Sequence, residues 1–161
     1  DTDYAGCKRT RKSTSGGVVM WGSHMIKSWS STQSVIALSS GEAEYYGMVK
    51  GASVGLGMKA LLSDLGVEVG LTILTDASAA KSIASRTGVG KVRHVKVDQL
   101  WLQEKVAQNR MEIEKVKTQF NLADILTKYK AWEDILQHNR STEVKIGGER
   151  NPNMPAISRG E

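Results

Sequence analysis

The segment LTILTD, Leu71 to Asp76, is a run of apolar and β-favouring residues too short for a helix. It passes directly into the helix-prone ASAAKSIAS, Ala77 to Ser85. A short apolar run of this kind reads as a buried strand. Such a strand needs a sheet with covering layers, and a helix directly after it needs a crossover connection. That junction makes the chain α/β.

The remaining text supplies the other elements. GGVVMWG (Gly16 to Gly22) reads as a strand, MIKSWSS (Met25 to Ser31) alternates, and Gly22-Ser23 between them suits a hairpin turn. Ser39-Ser40 is a helix N-cap signal, with Glu42 in the first turn, and the helix is predicted to run to about Asp64 and stop at Gly66. Its glycines at 47, 51, 55 and 57 cost about 1 kcal/mol each against Ala but permit close approach to a sheet. Val95, Leu102 and Val106 stand at helical spacing in the segment Val95 to Gln108. Arg110 to Val116 reads as an edge strand, and Asn121 to Gln137 as a helix capped by Asn121. This order is a mixed sheet with hairpin and crossover connections, and it wants one more central strand beside LTILTD. Only Asp1 to Gly6 is left for it, so the chain is read as beginning inside that strand.

At 161 residues with 40% hydrophobic content, the chain suits one domain with a real core. Residues 1–138 are assigned to that domain. The polar, Gly- and Pro-bearing residues 139–161 are expected to be a disordered tail or unrelated sequence. No apolar run approaches the roughly 20 residues of a membrane span, and no signal-peptide pattern opens the chain. Cys7 is the only cysteine, which excludes an intrachain disulfide and a thiolate zinc cage. The formal charge of +5 is compatible with a polyanionic partner. Lys8, Arg9, Arg11 and Lys12 crowd into CKRTRKSTSGG, either a solvated turn or a phosphate-contacting loop.

The carboxylates are more telling. Asp76 ends a buried strand, where sites in open α/β sheets occur; the alternative is an N-cap for the next helix. Asp124 lies in an expected first helical turn, where a surface acid is also favourable. Glu42 and Glu44 differ by about 200° in helical phase and cannot share a face. Glu44 shares a stripe with Met48 and Gly51 and is expected to face the sheet; Glu42 is expected to face solvent. Asp1 and Asp3 lie on one side of the expected first strand. Together these acids form a set of hard oxygen ligands suited to magnesium or manganese. Two such ions about 4 Å apart are a device for hydrolysing a phosphodiester.

DTDYAGCKRTRKSTSGGVVMWG, SWSSTQSVIALSSGEAEYYGM, ILTDASAA and NLADILTK resemble the ribonuclease H domain of copia-type retrotransposon Pol polyproteins, from Asp1 to about Lys128. The resemblance implies a ribonuclease H-like fold, a five-stranded mixed sheet with helices on both faces, here with its first strand truncated. It implies magnesium-dependent hydrolysis of the RNA strand of an RNA–DNA hybrid. The family's first Asp of D-x-D-x-A-G is Asp1, the second Glu of EAEYY is Glu44, the strand-end Asp is Asp76, and the Asp of LADILTK is Asp124. These four are the implied catalytic and metal-holding residues, for two Mg²⁺ with Mn²⁺ as substitute. Arg9, Arg11 and Lys12 are expected to touch phosphates. A linked upstream reverse transcriptase and a cytoplasmic, virus-like-particle setting are implied by resemblance alone.

The sequence also departs from the family. An Asn-Gln pair usual after the strand-end Asp is Ala77-Ser78 here, leaving Ser78 as the polar contact to the minor groove. Lys96 and Trp101 replace an Asp and a His, Tyr129 replaces a Pro, and His94 is kept. The rival reading is an inactive retroelement remnant that at most binds nucleic acid.

Overall fold

The computed structural model describes residues 1–88 and 100–142. Its strands are β1 (Thr2–Asp3), β2 (Thr14–Trp21), β3 (His24–Thr32), β4 (Thr72–Thr75) and β5 (Glu112–Lys115). Its helices are α1 (Ser40–Asp64), α2 (Ser78–Ala84), α3 (Trp101–Ala107) and α4 (Trp132–Ser141). The order matches the sequence expectation of hairpin, long helix, strand and helices. Among the described residues no helix is long and apolar enough to cross a membrane.

The sheet differs from the expected one. Strands β1-β2-β3 form an antiparallel sheet, and β4-β5 form a separate parallel pair. β1 has two residues and, among the described residues, pairs with β2 alone, Thr2 opposite Ser15 and Asp3 opposite Thr14. It is too short to bridge β2 to β4, so the described strands do not join into one five-stranded sheet. A cleft of about 430 Å³ lies between the two sheets, walled by Gly16 to Met20 of β2 and Thr72 to Thr75 of β4. Glu44, Gly47, Met48, Gly51 and Gly55 of α1 line the same cleft.

Helix α1 starts where the cap signal puts it: the Glu42 N–H donates to Ser39 Oγ at 3.2 Å. Two of its glycines are needed for close approach. A Cβ on Gly47 would stand 2.6 Å from Thr2 Oγ1, and one on Gly55 would stand 2.7 Å from a methyl of Leu71. Each lies under real carbon contact distance, so the backbone of α1 packs directly on the side chains of Thr2 in β1 and of Leu71, just before β4. The opposite flank of α1 carries the core: Tyr45, Val49 and Ala52 pack with Ala80, Ile83 and Ala84 of α2, Leu102 of α3 and Met111. Buried amides fasten the layers. Gln33 Nε2 donates to Ser15 Oγ and to the Ala43 carbonyl, both at 2.8 Å. Gln103 Nε2 donates to the Ile83 carbonyl at 2.8 Å.

The helix expected over Asn121 to Gln137 is not continuous. Asn121 Oδ1 accepts from the Ala123 N–H at 3.1 Å, an Asx turn that leads into a 3-10 turn over Asp124–Leu126. Regular helix resumes at Trp132. Asp124, Thr127, Lys128 and Lys130 are engaged with Asp1 and with each other, and those contacts override the helical periodicity of the segment. Helix α4 passes through His138 to Ser141. Residues 143–161 of the expected tail lie outside the described residues, as do His94 and the first part of the segment expected to be helical from Val95, Lys96 included.

Candidate metal centre

Three elements deliver one carboxylate each to the same place. Asp1 immediately precedes β1, and its carbonyl accepts the Gly16 N–H at 2.9 Å. Glu44 comes from the second turn of α1, on the face toward β1, as its helical phase requires. Its Oε1 accepts the Thr2 N–H at 3.1 Å. Asp76 comes from the C-terminal end of β4, aligned by the parallel ladder in which the Val116 N–H reaches the Thr75 carbonyl at 2.9 Å. One oxygen from each of Asp1, Glu44 and Asp76 lies within 4.8 Å of the others.

The capping alternative for Asp76 is removed, because α2 is capped at Ala77 with no side-chain cap bond. Its carboxylate is therefore not spent on the helix. Glu42 is corrected in the other direction. It is 1% exposed rather than solvent-facing. Its oxygens accept from the Leu38 N–H at 2.8 Å and the Tyr46 hydroxyl at 2.6 Å. The phase argument separates it from Glu44 correctly, but it sends Glu42 into a structural pocket beside the helix start instead of into water.

Asp124 stands outside the three-residue cluster and is linked to it through lysine. Lys128 Nζ lies 2.5 Å from Asp124 Oδ1 and 3.3 Å from Asp1 Oδ1. Lys130 Nζ also pairs with Asp124, on Oδ2. The Thr127 hydroxyl sits between Asp1 Oδ2 and the Asp124 carbonyl. Sequence reading missed Thr127, Lys128 and Lys130. The i,i+4 spacing of Asp124 and Lys128 is the signal that was available.

Electrostatics follow from this packing. Burial pushes the Glu44 carboxyl above its usual range, with Asp76 adding to the rise while the α-amino group of Asp1 opposes it. Burial also pulls the Asp1 α-amino group below its ordinary value, against the attraction of Glu44 and Asp76. For Asp124, burial alone would raise the pKa, but hydrogen bonds from Lys128 and Lys130 outweigh it and hold the carboxyl low. The donor set is oxygen only, with like charges that repel unless a cation stands between them. Asp1, Glu44 and Asp76 thus offer oxygen donors that suit a hard divalent cation, while Lys128 places a positive charge between Asp1 and Asp124.

Arg9 and Arg11 are exposed and Lys12 half-exposed, all in the loop between β1 and β2. The loop is closed by the Arg11 N–H donating to the Cys7 carbonyl at 2.7 Å. Ser78 opens α2, two residues after Asp76, and its Oγ accepts from Lys115 Nζ at 2.6 Å.

No protein-family profile matches the chain, and no solved structure does. Among curated proteins it is 31% identical over 132 residues to the retrovirus-related Pol polyprotein from transposon RE1 of Arabidopsis thaliana. It is 30% identical over 132 residues to that from transposon RE2 of the same plant. It is 28% identical over 130 residues to that from transposon TNT 1-94 of Nicotiana tabacum. Each match covers 80% of this chain but only 9 to 10% of the relative. The chain is therefore homologous to a short segment of retrovirus-related Pol polyproteins from plant transposons.

Proposed function

We propose that the chain is a ribonuclease H domain that hydrolyses the RNA strand of RNA–DNA hybrids within a retroelement Pol polyprotein. The observation that carries this reading is the convergence of Asp1, Glu44 and Asp76, oxygen to oxygen within 4.8 Å, at the C-terminal end of β4. Thr72 and Leu74 of that strand are exposed rather than buried as its apolar run suggests, because only one neighbouring strand, β5, covers it among the described residues. Asp1, Glu44, Asp76 and Asp124 are the residues that hold Mg²⁺. When bound, the metal supplies positive charge at the phosphodiester and makes water a better nucleophile at neutral pH. The chain's own groups set the donors in place. The Thr2 N–H aims Glu44, Thr127 and Lys128 orient Asp1, and the β4 ladder projects Asp76. The basic loop carrying Arg9, Arg11 and Lys12 supplies phosphate contacts, and Ser78 contacts the minor groove.

The same proposal extends to the fold. A five-stranded mixed sheet results when the cleft between β2 and β4 is filled by a strand continuous with β1. A reverse transcriptase precedes the domain in the full polyprotein, in a cytoplasmic particle.

The test is cleavage of a labelled RNA–DNA hybrid in Mg²⁺, with EDTA, duplex DNA and single-stranded RNA as controls. Hybrid-selective, metal-dependent cleavage lost in Asp76→Asn supports the reading. Hybrid binding without cleavage supports the inactive remnant, which one observation favours: both oxygens of Asp124 are taken up by Lys128 and Lys130.

A further inference from the structure

Four acids are assigned to the centre, yet only three have oxygens within 4.8 Å of one another. The fourth, Asp124, is buried with 8% of its side chain exposed, and two ammonium groups meet it. One of these, Lys128, is shared with Asp1, whose side chain is 2% exposed. A lysine here is a strongly hydrated point charge on a flexible stem. Its side chain is 43% exposed, so it has an open path to water.

We propose that Lys128 is a tethered cation of the carboxylate centre, standing where a second divalent ion would bridge Asp1 and Asp124. This inference rests on the metal-centre reading above. With Lys128 inward, Asp1, Glu44 and Asp76 hold one divalent ion. A second ion enters between Asp1 and Asp124 only after the lysine swings outward. Lys128 is thus a positioning residue that sets how many ions the centre takes and at what concentration. Lys130 meets Asp124 but has no contact with Asp1 among the described residues, so it weakens entry of the second ion without bridging the pair.

The physical consequence concerns charge rather than shape. Replacing Lys128 by Met keeps an unbranched chain of similar length and removes one positive charge from a site of clustered carboxylates. Divalent affinity then rises, because the ion no longer competes with an ammonium for the same oxygens. The metal-free fold loses stability in exchange, since Asp1 and Asp124 are left facing each other with one counter-charge fewer.

Mn²⁺ titration of the wild-type chain, followed by electron paramagnetic resonance and by calorimetry, is the deciding experiment. Wild-type protein should take one ion at sub-millimolar Mn²⁺. Lys128→Met should take two, with the second at least tenfold tighter than in wild type. Lys128→Arg, which keeps the charge, should remain at one. A wild-type stoichiometry of two at the same concentrations overturns the proposal without any variant being needed. Equal stoichiometry and affinity in wild type and a folded Lys128→Met also overturn it, while leaving the metal centre itself intact. Absence of Mn²⁺ binding in every form overturns the metal-centre reading, and the lysine's role falls with it.

Discussion

The backbone N–H of Thr2 donates to Glu44 Oε1 at 3.1 Å, so a strand edge and a helix side chain fix each other. This bond makes Glu44 both a candidate ligand and part of the fold. Burial raises its pKa above the ordinary 4.5, which means the native state binds that proton more tightly than the unfolded chain does. Its favourable contribution is present in full below 4.5 and is lost as pH rises through the native value.

Glu44→Gln keeps an oxygen for the Thr2 N–H and discards the charge. At neutral pH the metal-free variant should melt higher than wild type, and the difference should shrink toward pH 4. The variant should lose the stabilisation by Mg²⁺, which for one site is about 1.4 kcal/mol at ten times Kd. Melting scans across pH, with and without Mg²⁺, check both. A variant that melts lower at neutral pH, or keeps the full Mg²⁺ shift, removes Glu44 from the ligand set.

Glu42 should behave in the opposite way. Glu42→Ala removes the acceptor of the Leu38 N–H and the Tyr46 hydroxyl and empties the volume of a side chain that is 1% exposed. The expected cost is about 1–3 kcal/mol in total. Mg²⁺ should still stabilise the folded fraction as it does in wild type. Denaturant unfolding at fixed Mg²⁺ separates the two effects.

That contrast marks how far the residue pattern reaches. Periodicity found the hairpin, the long helix and the strand ending at Asp76, because each is set by local spacing and caps. Helical phase separated Glu44 from Glu42. It left the burial of Glu42 unseen, because the partners Leu38 and Tyr46 come from the cap geometry and the next turn. The break after Asn121 was also hidden. Its cause is the tertiary grip of Thr127 and Lys128 on Asp1, 126 and 127 residues away. Asp1, Glu44 and Asp76 meet from three separate elements, whereas the lysines around Asp124 are a product of that same long-range docking.

Two glycines of α1 should respond in opposite directions. Gly57→Ala places a Cβ in open space and should stabilise by about 0.5–1 kcal/mol through helix propensity. Gly47→Ala has the same propensity gain but drives a Cβ to 2.6 Å from Thr2 Oγ1. The buried Thr2 side chain must move, which disturbs β1 and with it the Thr2 bond to Glu44 and the position of Asp1. Chemical denaturation should show a net loss for Gly47→Ala, accompanied by weaker Mg²⁺ stabilisation. If Gly47→Ala is as stable as Gly57→Ala and keeps its Mg²⁺ response, the close approach of α1 to β1 is not what positions the centre.

The cleft between β2 and β4 yields the last prediction. Its walls are backbone edges, its floor is α1, and Leu74 beside it is 58% exposed. Edges of this kind carry N–H and C=O groups available to an added strand. Asp1 stands at the cleft, with its ammonium donating to the Gly16 carbonyl at 3.2 Å. That ammonium also competes with any cation for the nearby carboxylates. Adding about six residues of alternating apolar character ahead of Asp1, roughly one strand, should fill the cleft and remove the charge in one step. The extended chain should melt higher, protect the β4 amides from hydrogen exchange, and cleave a hybrid faster at equal Mg²⁺. A scrambled polar extension of equal length removes the α-ammonium but cannot pack, so it separates the two contributions. If the apolar extension gains neither stability nor β4 protection over the scrambled one, the two sheets are not halves of a five-stranded sheet.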